Sequence, residues 1–170
     1  ANHIREIAIG KANNLWIGTF YGGLFSFDLA TEKFSRIPLI DKKGEDLQLA
    51  EINSLEVDVK GNLWIASYAG LHYYDTHNKV LLKELTDLQG LDLKGTIYTI
   101  FEDLVGNIWI STSQENGLLY LDNTTGEAKK FALDNVQTIY QEAANELWLG
   151  TKRDGLSHLN IKTGAIKNYP

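Results

Sequence analysis

The sequence predicts an all-β chain, a β-propeller segment of four blades with four antiparallel strands each. Three observations carry this. Trp16, Trp64, Trp109 and Trp148 recur at spacings of 48, 45 and 39 residues, close to the roughly 40–45 residues that a four-stranded blade occupies. Apolar residues alternate over short runs, and no window sustains a helical period over ten residues. Gly and Asn sit between the runs, where hairpins need positive φ.

The four units overlay in register. Twelve residues before each Trp is a β-branched residue, Ile4, Ile52, Ile97 or Val136, and nine before it is Ile7, Leu55, Ile100 or Ile139. The spacing predicts a first strand over 4–9, 52–57, 97–102 and 136–141. Polar turns follow at 11–14, 60–62, 105–107 and 144–146, and each leads into a second strand that carries the Trp between aliphatic neighbours. A Gly-Leu pair (Gly23-Leu24, Gly70-Leu71, Gly117-Leu118, Gly155-Leu156) opens the third strand, at 24–27, 71–74, 118–121 and 156–159. Asp28, Asp75, Asp122 or Asn160 closes it, a residue type that accepts bonds from the backbone N–H groups just ahead as an Asx-turn. The fourth strand is predicted at 33–37, 79–83, 128–131 and 165–169. Both prolines, Pro38 and Pro170, fall just past a fourth strand, as expected for a residue that cannot donate to a ladder. The blades occupy approximately 2–38, 50–83, 95–132 and 134–170 of one segment, 1–170. A WD repeat does not fit, because Ile or Leu follows every Trp. A kelch blade would carry paired glycines before the third strand, and only Gly22-Gly23 does so.

Composition narrows the function. The chain has 16 Lys and Arg against 22 Asp and Glu, a net charge of −6, which disfavours a phosphate backbone as partner. No apolar run approaches the ~18 residues of a membrane span, so no membrane contact is expected from this segment. There is no cysteine, which excludes disulfides, thiolate metal sites and a Cys nucleophile. There is also no methionine, even at position 1, so an excised or processed piece of a longer chain is expected. His3, His72, His77 and His158 form no metal-spaced pair. Gly-x-Ser-x-Gly, phosphate-loop and EF-hand patterns are all missing. No catalytic residue, metal or cofactor is therefore predicted.

The run Gly-Asn-Leu/Ile-Trp-Ile at 61–65 and 106–110, a Thr or Ser two residues after the Ile, and Gly-Leu-x-x-x-Asp beyond it resemble the two-component regulator propeller repeat. Trp16-Ile17-Gly18-Thr19 and Trp148-Leu149-Gly150-Thr151 match its Trp-Ile-Gly-Thr core; Ala66-Ser67 and Ser111-Thr112 depart mildly. The resemblance covers nearly the whole chain. It implies a piece of the periplasmic sensor region of a hybrid two-component histidine kinase from a carbohydrate-degrading bacterium. Such regions usually hold two seven-bladed propellers, a small β-sandwich, a membrane helix and the kinase. Oligosaccharide detection and signalling across a membrane are the implied function. The implied partners are an oligosaccharide and the remaining blades or a second copy of the chain.

Repeated positions carry the scaffold, and diversified loops at one rim are where recognition can live. Between the second and third strands the candidates are Tyr21, Tyr68, Gln114, Glu115, Asn116, Lys152, Arg153 and Asp154. The tyrosines suit sugar rings, and Lys152 and Arg153 suit carboxylate or sulfate groups. The long loops 39–51 and 84–95 are expected to reach the rim or a neighbouring domain. The four tryptophans are expected between blades, where they would pack rather than bind. Two other function classes stay open: a propeller lyase or hydrolase using Glu115 and Asp154 at the channel mouth, and a pure interaction scaffold.

Overall fold

The structure is a computed structural model, and it describes residues 3–11, 13–41, 43–85, 87–88, 91–93, 95–113 and 117–170. The first sheet comprises β1 (Ile4–Ile9), β2 (Asn14–Thr19), β3 (Leu24–Asp28) and β4 (Lys33–Ile37). The second comprises β5 (Ile52–Val57), β6 (Leu63–Ser67), β7 (Gly70–Asp75) and β8 (Val80–Leu85). A two-residue hairpin, β9 (Asp87–Leu88) with β10 (Leu91–Asp92), follows it. The third sheet is β11 (Ile97–Glu102), β12 (Ile108–Thr112), β13 (Leu118–Leu121) and β14 (Ala128–Phe131). The fourth is β15 (Val136–Ala143), β16 (Glu146–Thr151), β17 (Leu156–Asn160) and β18 (Ile166–Tyr169). Each four-stranded sheet pairs antiparallel in chain order, so every blade is made from its own stretch of sequence.

Local chemistry sets the hairpins. Asn13, Gly61 and Gly106 adopt positive φ in the turns after the first strands, a conformation that these residues reach at little steric cost. The Asx-turns form as predicted. Asp28 Oδ1 accepts the N–H groups of Ala30 and Thr31, Asp75 Oδ1 those of His77 and Asn78, and Asp122 Oδ1 those of Thr124 and Thr125. In the fourth blade Asn160 Oδ1 accepts the Thr163 N–H. Those donated bonds hold the Asp28, Asp75 and Asp122 carboxyls below the usual carboxylate range.

The sheets stand side by side around their first strands: β1 contacts β5, β5 contacts β11, and β11 contacts β15. Alternate residues of a strand face opposite sides of its sheet, so every blade has a Trp side and an aliphatic side. Trp16 and Ala8 of the first blade pack with Leu55, Leu63, Ile65 and Tyr74 of the second. Trp64 and Leu71 pack with Ile97, Ile100, Ile108 and Ile110 of the third. Trp109 and Leu118 pack with Val136, Leu147, Leu149 and Leu159 of the fourth. Trp16, Trp64 and Trp109 thus lie between blades, Trp109 with no exposed surface and Trp16 with 8%. Trp64 is only half-buried, as is Trp148, whose side of the last blade has no neighbour among these clusters.

The Trp-Ile-Gly-Thr core follows from this packing. A Cβ on Gly18 would lie 2.6 Å from Ile52 Cγ2 of the next blade, far inside van der Waals contact, so glycine there lets two blades close up. The Thr or Ser after it ties the following loop. Thr19 Oγ1 donates to the Gly23 carbonyl at 2.9 Å, Ser67 Oγ to Gly70 at 3.0 Å and Thr151 Oγ1 to Gly155 at 3.0 Å.

Candidate functional site

In all four blades the first strand breaks register at its second residue. Ile4 pairs with Thr19 but Glu6 with Gly18, and the same slip recurs between Ile52 and Ser54, Ile97 and Thr99, and Val136 and Thr138. The extra residues are Arg5, Asn53, Tyr98 and Gln137. A β-bulge leaves its extra residue out of the ladder and re-aims its side chain, and bulges gather beside active sites. Here all four bulge residues line one cleft of about 160 Å³, together with Tyr68 and Lys152.

The loops between second and third strands are pinned to the same end of the blades. The N–H groups of Phe20, Tyr68, Ser113 and Lys152 donate to the carbonyls of His3, Glu51, Thr96 and Asn135, each just ahead of a first strand or within two residues of it. Tyr68 and Lys152 are brought together in the cleft in this way. Tyr21 lies outside it, in a ring cluster that borders it: Tyr21 packs edge-on against Phe20 at 4.5 Å, Phe20 is 6.2 Å from Tyr68, and His3 is 5.9 Å from Tyr21. The Arg5 guanidinium stands 4.9 Å over the Phe20 ring, and its Nη2 donates to Asn53 Oδ1 at 3.4 Å. The mouth therefore has an exposed aromatic wall on the first two blades and polar groups from all four.

Arg153 and Asp154 sit at the exposed tip of the fourth blade's loop and do not line the cleft. The Asp154 N–H is spent on Thr151 Oγ1. Gln114, Glu115 and Asn116 lie outside the described residues. The 39–51 loop supplies Leu47, Gln48, Leu49, Ala50 and Glu51 to a neighbouring cleft of about 390 Å³ that also includes Tyr68.

Beyond the mouth the first strands line a wider channel of about 430 Å³. Glu6 and Glu56 are among its lining residues. Burial pushes the Glu56 carboxyl up to about 7, assisted by the Glu102 and Glu6 charges and opposed by the Glu102 backbone N–H that it accepts. Burial also raises Glu6 and Glu102. Two cations, Arg5 and Lys152, thus stand at the mouth of a channel whose interior is acidic. Among the described residues no group of three His, Asp or Glu is placed to hold a metal, and no helix is long and apolar enough to cross a membrane.

Of the six residues that line the cleft, the sequence singles out Tyr68 and Lys152 as candidates and gives no such prominence to Arg5, Asn53, Tyr98 and Gln137. A signal was present. The repeated aliphatic pair, Ile4 with Ile7 and its equivalents, is three residues apart. A flat strand would turn such a pair to opposite faces; only a bulge between them keeps both on one face.

No protein-family model matches the chain. A curated relative, histidine kinase P4 of Formosa agariphila, is 24% identical over 163 residues, which is 91% of this chain and 12% of that protein. Among solved structures, the extracellular domain of the putative hybrid two-component system BT3049 from B. thetaiotaomicron superposes with a TM-score of 0.80 at 21% identity, over 99% of this chain and 25% of that one. The corresponding domain of BT4673 from the same organism gives 0.77 at 24% identity, over 99% and 24%. The chain therefore spans about a quarter or less of each of these three. Its fold is that of four propeller blades, similar to part of the extracellular domains of hybrid two-component systems, and its sequence is weakly similar to a stretch of a histidine kinase.

Proposed function

We propose that the chain is a ligand-receiving segment in the periplasmic sensor region of a hybrid two-component histidine kinase, and that its channel mouth takes an oligosaccharide carrying carboxylate or sulfate groups. One observation carries the reading: four bulges aim one polar side chain from each blade into a single cleft beside exposed aromatic rings. Sugars present apolar ring faces and rims of hydroxyls, which is the complement of an aromatic wall beside Asn, Gln and Tyr groups. Arg5 and Lys152 add charge-assisted bonds for an acidic substituent. Similarity to extracellular domains of hybrid two-component systems supports the sensor role. Signalling would follow from a population shift, in which ligand biases the geometry of the propeller against its neighbours.

Titration calorimetry against a panel of neutral and uronate- or sulfate-bearing oligosaccharides tests this. Tyr68→Ala should weaken binding at least tenfold, and Lys152→Ala should remove the preference for acidic over neutral sugars. Binding that survives both changes would move the site elsewhere, and the appearance of cleaved sugar would shift the reading to a lyase or hydrolase.

A further inference from the structure

At the end of the blades opposite the mouth, a separate cleft of about 370 Å³ opens between the second and third blades. Each of these two blades has a neighbour on both sides, so the cleft belongs to the interior of the arc. One wall is the half-buried Trp64 ring, 4.4 Å from the Tyr73 ring and tilted 41° to it. Ile108 and Leu121 of the third blade supply an apolar wall. Lys60 and Asn123 stand exposed at the rim, and Asp58 and Glu102 complete the lining. The hydrogen bonding here departs from that of the last two blades. Trp109 Nε1 donates to Asp103 and Trp148 Nε1 to Glu142, each six residues earlier. In the first blade Gly10 holds that position and offers no carboxylate. Asp58 holds it for Trp64, but its Oδ2 takes the Tyr73 hydroxyl instead, and that hydroxyl accepts the Asn62 side-chain N–H at 2.9 Å. Trp64 Nε1 is left with no acceptor among the described residues. Glu102 Oε1 is the converse, a buried acceptor with no hydrogen-bond partner.

We propose that this cleft is a second binding site, independent of the mouth, and that it takes one neutral sugar ring. The indole N–H needs an acceptor and the Glu102 oxygen needs a donor, and a hydroxyl group is both. Polar groups left unpaired in a cleft cost stability until something meets them, so these two mark what the occupant must carry. The C–H face of a pyranose supplies the apolar surface that lies on an aromatic ring. Charge selects among sugars. Asp58 and Glu102 repel a carboxylate or sulfate, the reverse of the mouth, where Arg5 and Lys152 attract one. Size limits the occupant too. The cleft is within the roughly 300–1,000 Å³ of small-molecule pockets, and the turns at 58–60 and 123–126 bound it, which suits a single ring and not an extended chain.

Heteronuclear NMR of the four indole N–H groups tests this on the whole chain. Titration with the methyl pyranosides of glucose, galactose and mannose should shift the Trp64 signal saturably with at least one of them. The Trp109 and Trp148 signals, already bonded to carboxylates, should stay in place. Methyl glucuronoside should shift the Trp64 signal less than its neutral counterpart. Trp64→Phe keeps a ring and removes the N–H, so the affinity read by saturation transfer to the sugar protons should fall about three- to tenfold. Transferred Overhauser contacts between sugar C–H protons and the Trp64 ring make the same check on the unaltered chain. Tyr68→Ala and Lys152→Ala, which dismantle the mouth, should leave the Trp64 titration unchanged, so either site can fail without the other. No saturable Trp64 shift at roughly tens of millimolar sugar would overturn the proposal. A shift as large with the glucuronoside would overturn the neutral class, and one that disappears in Tyr68→Ala would return the sugar to the mouth.

Discussion

Replacing Trp109 with Ala removes an indole that has no exposed surface and that touches Tyr120 at 4.9 Å, Phe131 at 5.3 Å and the apolar side of the fourth blade. Truncating a buried aromatic costs about 3–5 kcal/mol. The lost indole N–H, which donates to Asp103 Oδ2 at 3.2 Å, adds about 1 kcal/mol by leaving that oxygen short of a partner. A chain of 170 residues loses roughly 2–4 °C of melting temperature per kcal/mol. Trp109→Ala should therefore melt on the order of 10 °C or more below wild type. Trp148 holds the same register position with no blade over it, and its Ala variant should cost only about 1–2 kcal/mol. Both should be compared under identical conditions by following the fluorescence of the three remaining tryptophans. Half-buried Trp64 should fall between them. If Trp148→Ala proves as costly as Trp109→Ala, or Trp109→Ala melts within a degree or two of wild type, the idea that each tryptophan's contribution comes from the following blade is wrong.

Three further outcomes follow from blade packing and burial. Gly18→Ala drives a methyl into Ile52, which has no exposed surface, and should cost about 1–3 kcal/mol by overpacking; Gly150→Ala meets only the exposed Thr138 and should cost less than about 1 kcal/mol by denaturant titration. Glu56 binds its proton more tightly folded than unfolded, so its contribution makes the fold less stable as the pH rises from about 4.5 to about 7. Glu56→Gln should accordingly raise stability by up to about 3 kcal/mol at pH 8 and by little below pH 4.5. Buried His72 works in the opposite sense. Burial lowers its imidazole to about 4, so stability is lost as the pH falls from about 6.5 toward 4. A Glu56→Gln gain that is the same at pH 4.5 and pH 8 would contradict the assignment.

Much of the blade frame was legible because it repeats. Trp, Gly-Leu and Asx positions each serve a local need that recurs four times, so their register identifies them without any other sequence. The strand ends moved little: the second blade's fourth strand begins at Val80 instead of 79, and the last blade's first strand runs on to Ala143. The β9–β10 hairpin was not legible, since two residues per strand carry no alternation to read. The mouth was half legible. Tyr68 and Lys152 vary against a constant background, which marks a loop free to diverge. Arg5, Asn53, Tyr98 and Gln137 lie inside a strand, where a polar residue reads as the solvent side of an ordinary alternation; only the slipped pairing sends them inward.

The bulge has a consequence for how such a chain diversifies. Each blade contributes one letter to the mouth, and that letter sits outside the ladder, so rewriting it leaves the pairing of its own strand in place, although Asn53 also ties two blades, its Nδ2 donating to the Ile97 carbonyl at 2.9 Å. Because every blade is cut from one continuous stretch of sequence and successive blades pack a Trp side on an aliphatic side, a duplicated or exchanged unit arrives with its letter already aimed at the common cleft. New specificities can then arise by shuffling whole units as readily as by point substitution, with the stability of the frame held nearly constant.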